Sequence, residues 1–134
     1  MSTEENKALV RHWIEDVWMS NDADSVDQIF APSYAVNDSP CPPAMVRSAM
    51  QMLHAAFSPF TASIQDLLAE GDRVAVRWVL RGHHSGAFRG VAATGQPVEL
   101  RGTNIYRIAE GKIASNYEQV NAAEVVQQLR AIQP

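Results

Sequence analysis

Val98 to Asn121 reads VELRGTNIYRIAEGKIASNYEQVN, two strand-like runs closing on a turn at Ala109-Glu110-Gly111-Lys112. Two period-2 runs joined by a Gly-bearing turn predict a β-hairpin. In the first run Val98, Leu100, Gly102, Asn104, Tyr106 and Ile108 share one side, against Glu99, Arg101, Thr103 and Arg107, with Ile105 the exception. The first set is therefore the buried face. In the second run simple alternation puts Ser115, Tyr117, Gln119 and Asn121 on one side and Asn116, Glu118 and Val120 on the other. Neither set is apolar, so one face of this strand is expected to line a cavity rather than fill a core. By this count Tyr117, Gln119 and Asn121 face inward and Glu118 outward, unless a bulge reverses the phase.

At 134 residues the chain makes one domain, residues 1–134, with room for a sizeable core. A net charge of −4 with no Lys/Arg run excludes electrostatic binding to nucleic acid or an anionic membrane. No apolar stretch approaches the roughly 20 residues that span a bilayer, and STEENK at the N-terminus carries no signal pattern, so a cytoplasmic location is expected. Cys41 is the only cysteine, set in Ser39-Pro40-Cys41-Pro42-Pro43 with no base nearby in sequence, and is read as inert.

From the N-terminus, Ser2 and Glu5 form a capping box ahead of a helix whose Leu9, Val10, Trp13, Ile14, Val17 and Trp18 recur at helical spacing, to about Met19. A short helix carrying Val26, Ile29 and Phe30 follows, then a brief strand or extended arm, Tyr34 to Asp38. Pro42-Pro43 opens a third helix with Met45, Val46, Ala49, Met50, Leu53 and Phe57, ending at Ser58-Pro59. Strands are predicted over Thr61–Ala69 and Arg73–His84, the latter with its even-numbered face buried, and Ser85–Gln96 is a loop. Ala122–Leu129 closes the chain as a helix. Helices first and antiparallel strands after give an α+β fold in which a curved sheet wraps its helices and leaves a mouth. His84, Asn104, Tyr117, Gln119 and Asn121, with Asn37 or Asp38 on the arm, are the polar groups expected in the cavity. Trp13, Val76, Trp78, Leu80 and Tyr106 are its apolar walls.

Asp72-Arg73-Val74-Ala75-Val76-Arg77-Trp78, Arg81-Gly82-His83-His84-Ser85-Gly86-Ala87-Phe88-Arg89-Gly90, Thr94-Gly95, Arg101-Gly102, Tyr106-Arg107-Ile108, Gly111-Lys112-Ile113 and Gln127-Gln128-Leu129 resemble the SnoaL-like polyketide cyclases, over most of the chain. The resemblance implies the nuclear-transport-factor-two-like (cystatin-like) α+β cone, usually a homodimer. It also implies a cofactor-free intramolecular aldol closure of a polyketide ester, using a carboxylate and a histidine in the cavity. His84 matches the family's recurring histidine, and Asp38 the acidic residue after the arm position. Where the family commonly has tryptophan and, four residues on, aspartate, this chain has Tyr117 and Asn121, and Asn37 replaces a frequent histidine.

A carboxylate can take and return a proton, whereas an amide only orients a carbonyl or donates to a developing oxyanion. His84 or Asp38 is then the base, with Asn121 a steadying donor. Against these roles, His84 can cap loop backbone, Asn104 and Asn121 can tie strand ends, and Asp38 can cap its turn. His83 and His84 point to opposite faces and His12 and His54 lie on helices, so no metal site is expected. The expected partners are a small hydrophobic or aromatic ligand and a second copy paired through the outer face of Arg77, Arg81, Glu99, Arg101, Thr103, Ile105 and Arg107. The rival class is a silent binding module on the same fold; epoxide hydrolysis, which needs paired acids around a water, ranks last.

Overall fold

In the computed structural model, which describes residues 1–132, the helices come first and a six-stranded mixed sheet curves behind them. Helix α1, Thr3–Arg11, starts on the Ser2–Glu5 capping box. It passes without a break into a π-helix, His12–Trp18, with i→i−5 bonds from Met19 N–H to the Ile14 carbonyl at 3.1 Å and from Asp22 N–H to the Val17 carbonyl at 3.0 Å. The widened turn answers the sequence. In an α-helix Trp13 and Trp18 would diverge by about 140°, but the π register puts both indoles on the core side, stacked 6.3 Å apart.

A 3₁₀ turn, Ala23–Ser25, leads to α2, Val26–Ile29, and then β1, Phe30–Val36. Phe30 thus begins a strand instead of ending a helix, and the expected arm is a full strand parallel to the last one. Pro32 is tolerated because the β1 ladder is irregular between Phe30 and Ala35. Asn37 and Asp38, at φ 49° and 69°, turn the chain into the two-residue β2, Ser39–Pro40. Helix α3 spans Pro43–Ala56 and buries Val46, Met50 and Ala56.

The remaining strands are β3, Phe57–Glu70, β4, Arg73–His84, β5, Pro97–Ala109, and β6, Lys112–Val120, before α4, Ala122–Ile132. The sheet order is β2-β1-β6-β5-β4-β3. The inward faces of β4 and β5 are the expected ones: Val74, Val76, Trp78, Leu80 and His84, and Val98, Leu100, Asn104, Tyr106 and Ile108, are all buried. Gly102 stands opposite Trp78 because any Cβ there would overlap the indole. Among the described residues no helix is long and apolar enough to cross a membrane.

Candidate functional site

The site is made by one extra residue. Arg107 pairs with Ser115 and Ile108 with Ile113, so Ala114 has no partner on β5 and the side-chain phase of β6 reverses beyond it. Asn116 and Glu118 therefore turn inward, opposite Tyr106 and Asn104, while Tyr117, 45% exposed, and Gln119 face out. This corrects the inward placement expected for Tyr117, Gln119 and Asn121. Ile113-Ala114, two adjacent buried apolar residues in an alternating strand, is the signal of the phase change.

Cross-strand neighbours then knit a polar network into an aromatic interior. Trp78 Nε1–H donates to Asn104 Oδ1 at 2.9 Å. The Asn104 amide nitrogen donates to the Tyr106 hydroxyl oxygen at 3.0 Å and to Glu118 Oε2 at 3.2 Å. Asn116 Nδ2 donates to the same Oε2 at 3.2 Å, with Tyr34 nearby, while Asn116 Oδ1 is buried without a partner among the described residues. The Trp13 indole stands beside the Tyr106 hydroxyl. Glu118 Oε2 is thus held by two amides, and Oε1 accepts no hydrogen bond from the described residues. Since Oε1 is not among the buried unpartnered atoms, it is open to solvent.

Burial, reinforced by each other's proximity and by the Glu118 carboxylate, pushes the Tyr34 hydroxyl well above the ordinary phenol range. Burial and then Glu118 do the same to Tyr106, so both remain neutral donors. Trp13, 4.7 Å from Phe30, and Trp18, 5.0 Å from Trp78, wall the network with edge-on rings. Cys41 lies near enough to Glu118 for its thiol to be raised, first by burial and then by that charge.

Of the expected site residues, Trp13, Trp78, Asn104 and Tyr106 converge here. Asn37 does not reach the interior; its Oδ1 accepts Glu118 N–H at 2.9 Å and its Nδ2 donates to the Glu118 carbonyl at 3.3 Å, so it braces the strand that carries the carboxylate. Asp38 lies outside, accepting the Tyr117 hydroxyl. Asn121 spends its amide on backbone, accepting Arg101 N–H at 2.7 Å and donating to the Glu99 carbonyl at 3.4 Å. His84 faces inward and is fully buried, but its Nδ1 accepts the Thr94 N–H at 3.2 Å and lies 2.9 Å from the Thr94 hydroxyl. Its Nε2 is buried without a partner among the described residues. Asn104, opposite Glu118, pairs with Val76, and the run of β4 from Val76 to His84 is about 25 Å long, too far for one small molecule to touch both groups. Glu118, Asn116 and Tyr34 were not among the expected site residues.

A groove of about 440 Å³ lies on the other face, at Thr61, Arg81, His83 and Glu99. It offers no free acid, since Glu99 is paired with Arg81 at 3.0 Å and Arg101 at 3.1 Å.

The SnoaL-like polyketide cyclase family matches residues 8–129. No curated protein matches the chain. Among solved structures, TsrD from Streptomyces laurentii superposes with a TM-score of 0.87 at 20% identity, covering 98% of both chains. IdmH from Streptomyces antibioticus, assigned as a polyketide cyclase, gives 0.80 at 26% identity over 93% of this chain and 98% of its own. AclR from Streptomyces galilaeus, assigned as a hydroxylase, gives 0.84 at 25% identity over 99% and 89%.

Proposed function

The chain belongs to the SnoaL-like polyketide cyclase family, and from that premise we propose that it closes or isomerises a ring on a hydrophobic, polyketide-like substrate by cofactor-free acid/base chemistry, with Glu118 as the proton carrier. The observation that carries this is the asymmetry of the carboxylate: Oε2 pinned by the Asn104 and Asn116 amides, Oε1 unpartnered and open. A carboxylate fixed in this way is positioned for proton transfer, the contribution that general base catalysis needs first. It supplies what Asn121 lacks, from three residues earlier and across the strand.

In the proposed aldol closure Glu118 Oε1 takes a proton from a carbon flanked by carbonyls. The enolate carbon then bonds to a second carbonyl carbon of the same molecule, and Glu118 returns the proton to the resulting alkoxide. The aromatic rings around the network suit a flat apolar substrate.

The test is turnover of linear poly-β-ketone esters, followed by chromatography and mass, since closure yields a product of unchanged mass or one water lighter. The wild-type protein is expected to convert them and Glu118→Gln to fail. Conversion by Glu118→Gln at the wild-type rate overturns the assignment.

The silent binder of the same fold draws support from His84 and Asn121, whose Nδ1 and side-chain amide are held by Thr94 and by strand backbone. In that case the flat esters bind and quench tryptophan fluorescence, and no form of the protein converts them.

A further inference from the structure

We infer that the groove on the outer sheet face is a second binding site, and that its ligand is a flat aromatic carboxylate anchored by Arg81. The groove lies on the face opposite Glu118, so the inference does not depend on the role given to that residue.

A bulge shapes the groove. Phe60 pairs with Gly82 and Phe57 with His84, so Ser58 and Pro59 together stand opposite His83, while Pro97 pairs with His83 on its other side. Pro59 and Pro97 thus flank the exposed His83 ring at two strand spacings, about 10 Å. One row further along, Thr61, Arg81 and Glu99 stand in line across the same three strands. The space between these side chains is about 440 Å³, enough for a ligand of one or two fused rings.

Hydrogen-bond accounting selects the chemistry of the ligand. Both Glu99 oxygens are engaged, Oε1 by Arg81 Nε at 3.0 Å and Oε2 by Arg101 Nη1 at 3.1 Å. Arg101 also reaches Glu124 at 3.9 Å, so its charge is already shared between two acids. The Thr61 hydroxyl hydrogen goes to the Arg81 carbonyl, at 3.4 Å. Arg81 is different: among the described residues its two terminal guanidinium nitrogens bond to nothing, and neither does the His83 ring. What the groove has left to offer is therefore the open end of a guanidinium fork beside an imidazole. A carboxylate presents two oxygens to such a fork and takes both N–H bonds in parallel.

The spacing suits a ring behind that carboxylate. His83 and Arg81 are successive outward positions on β4, about 7 Å apart. That is the span from a ring centre, through its carboxylate, to a hydrogen-bonded nitrogen. A planar ring lying on His83 between the two prolines puts its acid group at Arg81.

The probe is 2-naphthoate titrated into ¹⁵N-labelled protein, with 2-naphthalenecarboxamide as the uncharged ligand of the same shape. Naphthoate is expected to shift the backbone signals of Gly82, His83 and Val98 and to bind about tenfold tighter than the carboxamide. Arg81→Met keeps the apolar stem. It should weaken naphthoate about tenfold and change carboxamide binding by no more than about twofold. His83→Ala should weaken both ligands, since it removes the ring on which they lie. Equal affinities for acid and carboxamide, or wild-type binding by Arg81→Met, overturn the anchor and the carboxylate with it. Shifts confined to Asn104, Asn116 and Glu118 place the probe in the interior and overturn the site. So does a spectrum unmoved by millimolar naphthoate, the result if a second copy covers this end of the face.

Discussion

Asn104 and Glu118 face each other directly across β5 and β6, and a single amide nitrogen of Asn104 serves the Glu118 carboxylate and the Tyr106 hydroxyl together. Asn104 Oδ1 meanwhile takes the Trp78 indole hydrogen at 2.9 Å. Every polar atom of this buried side chain is committed, so it fixes the relative placement of a base, a phenol and an aromatic wall.

Asn104→Leu removes all of these bonds at once and leaves the Trp78 donor stranded. Each stranded buried group costs about 1–3 kcal/mol, so a fall in melting temperature of several degrees is expected. Activity should fall further than stability accounts for, because Glu118 loses one of its two anchors. A calorimetric melt and a rate measured well below the midpoint separate the effects, and an unchanged rate would remove Asn104 from the site.

Cys41 reports the charge state of the site. Its thiol is raised first by burial and second by the Glu118 carboxylate. Glu118→Gln removes the second influence, brings the thiol down toward its ordinary value and enlarges the thiolate fraction at pH 8. Alkylation by iodoacetamide should accelerate about two- to fivefold. Equal rates in both proteins would mean that the carboxylate does not act on Cys41.

Asn121→Asp is expected to restore nothing, although it recreates the carboxylate the family commonly has there. The side chain is turned to the backbone of β5, where the amide hydrogen to the Glu99 carbonyl would be lost and two oxygens would face each other. A loss of about 1 kcal/mol in stability and no rescue of Glu118→Gln are the expected results. Rescue would show that position 121 reaches the substrate after all.

Much of this was legible in the sequence, and the failures have a local cause. The inward faces of β4 and β5 follow from alternation, because the odd positions there, Val79 apart, are charged, small or exposed and the even ones, His84 and Asn104 apart, are apolar or glycine. In β6 the same rule inverts the site, since Ala114 shifts the phase and small residues such as Ala114 and Ser115 carry no strong inward or outward preference. The capping box at Ser2 was readable, but not the π-helix at His12–Trp18, where tertiary packing of two indoles overrides the helical period. His84 was placed on the correct face, and only the folded loop reveals that Thr94 occupies its Nδ1.

The tyrosines give a pH signature. Tyr34 and Tyr106 are raised by burial far above the usual phenol value of 10.0, and the exposed Tyr117 is raised by its hydrogen bond to Asp38. A group whose pKa is higher in the folded state contributes stability that is complete below the unfolded value and is lost as pH climbs toward the folded one. Stability should therefore decline above pH 10. Absorbance at 295 nm should show one tyrosine of the three ionising before unfolding and two with it. Three ionising together in the native protein would contradict the burial of Tyr34 and Tyr106.

Self-association should run through the outer sheet face. Leu68, Ala75, Ile105 and Tyr117 form one row across four strands, since Leu68 pairs with Ala75, Ala75 with Ile105 and Ile105 with Tyr117. Leu68, Ile105 and Tyr117 are 69%, 43% and 45% exposed, an apolar ridge that the described residues leave open. The neighbouring rows hold Glu70, Arg73 and Arg107 on one side and Asp66, Arg77 and Thr103 on the other. A two-fold axis through the ridge brings acids of one copy to arginines of the next and covers the apolar row, the combination a self-complementary interface requires. The wild-type protein should scatter light as a dimer at micromolar concentration. Ile105→Asp, which puts an unpaired carboxylate at the centre of that contact, should weaken the dimer about a hundredfold or more while leaving the melting temperature of the dilute protein nearly unchanged, because Ile105 makes no contribution to the core. A wild-type monomer throughout the micromolar range would leave the ridge without this partner.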